Sequence, residues 1–119
     1  ILNDNSLNKI QNKKIKDINI RFQKVEGLPP KELRKLVDIG KKELKNGIII
    51  VFASLDGKVG LAVGVTEELV DKYDAVKFAK TGSEVIGGKG GGGRKDFAQA
   101  GGQFNDKIDE AFKKMITLI

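Results

Sequence analysis

The sequence predicts an α/β (α+β) domain, a mixed β-sheet with helices packed on it. Three observations carry that reading. Residues 47–54 (GIIIVFAS) are a continuous apolar run rich in β-branched side chains, the pattern of a central strand buried on both faces. Apolar residues recur at helical spacing after Pro30, Asp74 and Asn105. Turn signals separate these segments and set the order β-α-β-β-α-(glycine loop)-β-α.

The elements follow in turn. Residues 1–14 (ILNDNSLNKIQNKK) are polar and Asn-rich, and Leu7 and Ile10 are expected to be the last turns of a helix. The chain begins with Ile1 rather than Met, so a fragment or a processed product is expected, with residues 1–14 the stub of a helix and residues 15–119 the domain proper. Residues 15–25 alternate: Ile18, Ile20 and Phe22 point one way and Asn19, Arg21 and Gln23 the other, as in a half-buried strand. Gly27 and Pro29–Pro30 stop it. Pro30 suits a first helical turn, after which Leu33, Leu36, Val37 and Leu44 share a face, with Gly40 as a point of close packing. Asn46–Gly47 is expected to end that helix.

After the buried strand, Asp56–Gly57 signals a hairpin, and residues 58–65 (KVGLAVGV) return. Gly60 and Gly64 suggest close packing on the return strand. Thr66 can cap a short turn, and Asp74 is the better N-cap. Beyond it Ala75, Phe78, Ala79, Val85 and Ile86 form an apolar helical face, opposite Lys77, Lys80 and Glu84. Residues 97–102 (FAQAGG) read as a short strand. A last helix from Asn105 turns Ile108, Ala111, Phe112, Met115 and Ile116 inward. There is no internal repeat.

Composition excludes much. The chain has no Cys, His or Trp. Imidazole and thiolate chemistry is therefore absent, as are nearly all zinc sites and disulfides. A reducing, cytoplasmic setting is expected. The longest apolar run, residues 48–53, is too short to span a bilayer, so no membrane partner is expected. Lys and Arg outnumber Asp and Glu by 22 to 16, a net charge of +6. That excess favours a phosphate-bearing partner without deciding it.

Six of the fifteen glycines fall between Gly87 and Gly93, followed at once by Arg94 and Lys95. A P-loop is excluded: the first glycine would be Ser83, the residue after Lys89 is Gly90, and the run follows a helix rather than a strand. Gly88, Gly90 and Gly93 match a dinucleotide fingerprint, but the order of elements around them is wrong for that fold. A glycine loop presents backbone N–H groups to a ligand, and Lys89, Arg94 and Lys95 add phosphate-binding charge. The alternatives are a flexible loop or a tight structural corner.

Residues 87–102 (GGKGGGGRKDFAQAGG) resemble the signature of the C-terminal domain of the alanyl-tRNA synthetases, a module called the DHH-associated domain when it follows DHH phosphoesterases. The likeness extends over LRKLVDIGKKEL, IIIVFAS, DGKVGLAVGVTEEL and the last helix, from about residue 15 to the end. Arg94 stands where the phosphoesterase branch carries histidine, as in the synthetase branch. Two features depart from the pattern: one extra glycine in residues 90–93, and Lys95 where proline is expected.

The resemblance implies a non-catalytic domain that binds the elbow of tRNA (tRNA-Ala) and helps couple aminoacylation with editing. ATP, Mg²⁺ and Zn²⁺ are implied only for the parent enzyme, with no cofactor in this chain. Its other partners would be the remaining synthetase domains, with dimerisation possible through the helical segment. The expected tRNA-binding residues are Gly88, Lys89, Gly90, Gly91, Gly92, Gly93, Arg94 and Lys95, with Lys77 and Lys80 beside them. Gln99 is either a ribose or base contact or a buried strand amide. Lys77 and Lys80 are equally consistent with a solvated helix face. Asp96 is expected to hold the loop or to pair with Arg94. Tyr73 is expected to pack on the sheet rather than stack on a base pair; Phe22, Phe78 and Phe112 read as core, and Phe97 is open. The rival readings are the substrate-binding domain of a DHH phosphoesterase and a dimerisation module.

Overall fold

The alternation at residues 18–22 belongs to a hairpin. The computed structural model describes residues 8–88 and 91–119. In it β1 (Asn8–Ile15) pairs antiparallel with β2 (Ile18–Glu26), from Asn8 opposite Val25 to Ile15 opposite Ile18. Lys16 and Asp17 turn the chain at φ 52° and 67°, the left-handed pair that a two-residue hairpin needs. The helical turn expected at Ile10 is therefore corrected to a strand, and the boundary expected at residue 15 falls inside the hairpin. The polar, Lys-rich composition is that of an edge strand, which has no second neighbour to face. Leu7 lies outside the described residues.

A 3-10 turn from Pro30 leads into α1 (Leu33–Leu44). The helix ends one residue before the expected Asn46–Gly47: Lys45 takes the positive φ of 64°, and its N–H donates to Lys41 O at 2.9 Å. Gly47 instead opens β3 (Gly47–Leu55), where a Cβ would lie 2.4 Å from Asn19 O. β3 runs parallel to β2 and then turns through Asp56–Gly57, φ 53° and 79°, into antiparallel β4 (Lys58–Val65). Thr66 precedes a 3-10 turn without capping it; its buried hydroxyl accepts from Gly47 N at 2.9 Å. α2 (Ala75–Val85) is capped as expected, Asp74 Oδ1 accepting from Val76 N at 2.9 Å. β5 (Gly92–Gly93), β6 (Phe97–Gly102) and α3 (Ile108–Ile116) complete the chain. The sheet order is β1-β2-β3-β4-β6-β5, with β2–β3 the parallel pair.

Each face of the sheet has its own core. On one, Ile20, Phe22, Ile50, Phe52, Leu61 and Val63 meet Phe78, Phe112 and Met115 of α2 and α3. Phe22 stacks on Phe112 with centroids 4.1 Å apart and meets Phe52 edge-on at 5.9 Å. Tyr73 is half-buried with its ring 6.2 Å from Phe78, so it packs on this core. On the other face Leu33 and Val37 of α1 cover Ile49, Val51, Ala53 and Ala62. That helix sits close because two glycines let it. A Cβ at Gly40 would be 2.8 Å from Ile49 Cγ1, and one at Gly64 would be 2.3 Å from Val37 Cγ1. The expected wet side of β2 is under α1 as well: Arg21 and Gln23 are buried, and Arg21 donates to Glu43 of α1 and to Asn12 Oδ1 of β1.

Gly92 and Gly93 of the glycine run form the edge of this sheet. β5 pairs antiparallel with β6, Gly92 opposite Gln99 and Gly93 opposite Ala98. A Cβ at Gly88 would lie 1.7 Å from Gly101 O, at Gly91 1.9 Å from Gln99 O, and at Gly93 2.4 Å from Phe97 O. Backbone lies directly on backbone, so these positions admit no side chain. Gly92 has nothing within 4 Å. Gly91→Ala should therefore cost about 1–3 kcal/mol by forcing β5 off β6, whereas Gly92→Ala should stay within about 0.5 kcal/mol. Paired urea denaturation midpoints check this, and equal midpoints would refute the packing account.

Candidate nucleic-acid interface

β5 and β6 are joined by a tight turn whose tip is Lys95–Asp96. Arg94 N donates to Phe97 O at 2.7 Å, and Phe97 N returns to Arg94 O at 3.3 Å. The tip is fastened by its carbonyls. Asp96 O accepts from Val65 N and from Lys41 Nζ, each at 2.9 Å, and Lys95 O accepts from Ala75 N at 2.9 Å. Backbone bonds thus tie the tip to the end of β4 and to the start of α2, and the Lys41 side chain ties it to α1. The side chains of Arg94 and Lys95 are left exposed.

Arg94 Nε stands 3.5 Å from Asp96 Oδ1, so the expected pair forms. Both side chains are largely exposed, at 69% and 49%, and such a pair stabilises little. Both residues line a cleft of about 730 Å³. The cations that line it are Lys41, Lys42, Lys45, Arg94 and Lys95. Its floor includes Val65 and Thr66, and Glu67, Glu68 and Asp96 are its acids. Lys41 and Lys42 lie in the last turn of α1, where cations also offset the charge of the terminal carbonyls.

The structure brings some of the expected residues together and separates others. Gly88, Gly91, Gly92, Gly93, Arg94 and Lys95 lie along one hairpin arm or lead into it. Lys89 and Gly90 lie outside the described residues. Gln99 is exposed on β6 opposite Ala62, which places it on the α1 side of the sheet. Lys77 and Lys80 are exposed on α2, which packs on the other face, and they do not line the cleft. Phe97 is half-buried beneath the Arg34 guanidinium, 5.0 Å from its ring centroid. Lys41, Lys42, Lys45, Glu67 and Glu68 escaped the sequence reading. Their only signal was a basic helix end and an acidic pair, and nothing local joins those to Arg94. Among the described residues no group of three or more His, Cys, Asp or Glu converges to hold a metal, and no helix is long and apolar enough to cross a membrane.

Comparison with known proteins bears on this arrangement. The family model described as the DHHA1 domain matches residues 17–119. The alanine–tRNA ligase of Parvibaculum lavamentivorans is 51% identical over 95 residues, 79% of this chain and 11% of that protein. That of Rhodopseudomonas palustris is 46% identical over 103 residues, 86% of this chain and 12% of that protein. The chain thus spans about a ninth of the length of these relatives. The crystal structure of the C-Ala domain from Aquifex aeolicus alanyl-tRNA synthetase superposes with a TM-score of 0.85 at 30% identity, covering 91% of this chain and 96% of that one. A DHH domain protein of the s1p family of ribosomal proteins shares the fold at a TM-score of 0.57 and 17% identity, covering 91% of this chain and 27% of that one. Similar throughout to the C-terminal domain of alanyl-tRNA synthetases, this chain belongs to the DHHA1 domain family.

Proposed function

We propose that this chain is the tRNA-binding C-terminal domain of an alanine–tRNA ligase, and that it grips the elbow of folded tRNA through phosphates, riboses and shape. The observation that carries the reading is the hairpin tip. Hydrogen bonds to the tip's carbonyls hold Arg94 and Lys95 beside Lys41 and Lys42 of α1 and Lys45 just after it, while both side chains stay exposed to a ligand. Folded RNA is read mainly in this way, since its deep major groove hides the base edges. The net charge of +6 adds long-range attraction. The ligase relatives and the C-Ala likeness supply the parent context.

In this reading the domain helps bring the aminoacylation and editing centres of a cytoplasmic enzyme onto one tRNA. The ligation of alanine with ATP and Mg²⁺, and any zinc-bearing editing centre, belong to other domains. This chain has neither His nor Cys to hold zinc. Tethering to those domains raises the effective tRNA concentration, so modest affinity of the isolated chain suffices.

A salt titration of the chain with folded tRNA, beside an equal-length unstructured RNA, tests the proposal. Folded tRNA should bind more tightly across the series. Arg94→Ala and Lys95→Ala should each weaken it and lower the slope of log K against log salt by about 1. Equal affinity for the two RNAs would sink the elbow reading. Self-association of the chain without RNA would favour a dimerisation module instead. Lys42→Ala and Lys45→Ala should weaken tRNA binding more than Lys77→Ala and Lys80→Ala, because the first pair lines the cleft and the second does not. The reverse ranking would move the interface to α2.

A further inference from the structure

The cleft beside the hairpin tip carries charges that its proposed use for phosphate does not explain. A pocket built only for a polyanion has no use for carboxylates, which repel it. Yet Glu67 and Glu68 are exposed and line this cleft together with Lys41, Lys42, Lys45, Arg94 and Lys95. They do not neutralise those cations. Among the described residues the ion pairs are Arg21–Glu43, Lys24–Asp109, Lys35–Glu32, Arg94–Asp96 and Lys107–Glu110. Lys42, Lys45, Lys95, Glu67 and Glu68 enter none of them. Apart from the Arg94–Asp96 pair, opposite charges therefore share one cleft while standing beyond ion-pair distance. Its volume of about 730 Å³ lies within the range of small-ligand sites. Neither glutamate makes a side-chain hydrogen bond among the described residues; both stand in the first turn of the 3-10 segment Glu67–Leu69, where a carboxylate is also favoured.

A ligand filling such a cleft must offer both an anion and hydrogen-bond donors. Building on the proposed RNA-binding role, we infer that this cleft reads the ribose of an RNA backbone. The Lys and Arg side takes a phosphate, and Glu67 or Glu68 accepts the 2′-hydroxyl next to it. A carboxylate is a charged acceptor suited to a ribose hydroxyl, and the 2′-hydroxyl is what distinguishes RNA from DNA at a given contact. The glutamates lower affinity for any polyanion and return part of the loss only when a ribose donates. Their product is sugar selectivity rather than strength.

The test compares a folded tRNA with a synthetic strand of the same sequence carrying 2′-fluorine in place of every 2′-hydroxyl. The fluorinated strand keeps the RNA-like sugar pucker and cannot donate. Binding is read by fluorescence anisotropy at one fixed salt concentration. The unmodified chain should prefer the ribose form by roughly tenfold, the scale of one hydrogen bond to a charged group. The Glu67→Ala/Glu68→Ala variant should bind the fluorinated strand at least as tightly as the unmodified chain does, with a preference near unity. If the alanine pair lowers thermal stability, Glu67→Gln/Glu68→Gln replaces it, and the preference should still fall several-fold. A preference that survives in the variant overturns the inference, as does its absence in the unmodified chain. Failure of the unmodified chain to bind either strand overturns the proposed function as well; binding without discrimination overturns the ribose reading alone.

Discussion

Burial of β3 on both faces is the constraint on which the rest of this domain depends. Ile48 to Phe52 are fully buried, with alternate side chains in opposite cores. Each such side chain contributes about 1.5–3 kcal/mol of transfer free energy. A strand of this kind cannot sit at an edge or with one face in water, so it forces a three-layer arrangement. α2 and α3 close one side and α1 the other. The parallel β2–β3 pair then follows from α1, which carries the chain across the sheet between them.

The candidate site inherits its geometry from that arrangement. Gly40 and Gly64 bring α1 into contact with β3 and β4, and its C-terminal turn comes to rest where Lys41 reaches Asp96 O. The glycine hairpin arrives from the other end of the chain, and its tip is fastened there through carbonyls. Such an anchor accepts Lys95 as readily as the proline expected from the resemblance. The anchoring bond from Ala75 N uses the Lys95 carbonyl, which proline also carries. The tip's carbonyls are committed to the scaffold while the side chains of Arg94 and Lys95 stay exposed, so residue identity can vary there without loss of the anchor.

The glycine run thus serves a structural purpose at most of its described positions. Gly88, Gly91 and Gly93 lie against β6 too closely for any Cβ. A rigid arm also suits the proposed contact at Arg94, because a backbone fixed in advance loses less entropy on binding. The corner and the binding loop, opposed as readings of composition, are compatible as parts of one hairpin.

By itself the sequence determined the α/β class, the two-faced β3, the Asp56–Gly57 turn, the Asp74 cap and the inward faces of α2 and α3. These are local matters, set by periodicity, turn chemistry and side-chain branching. It also showed Arg94 and Lys95 as candidate contacts, because a basic pair after a glycine run is visible in one stretch. Tertiary structure decided the rest. Residues 8–15 became a strand because β2 offered a free edge; their polar composition suits an edge strand but does not by itself select one over a helix. Arg21 became buried because α1 lies over it and Glu43 meets it. Lys41, Lys42, Lys45, Glu67 and Glu68 joined the site because α1 and the turn after β4 end beside the hairpin tip. Proximity between segments distant in the chain is fixed by packing, and no short stretch of sequence encodes it.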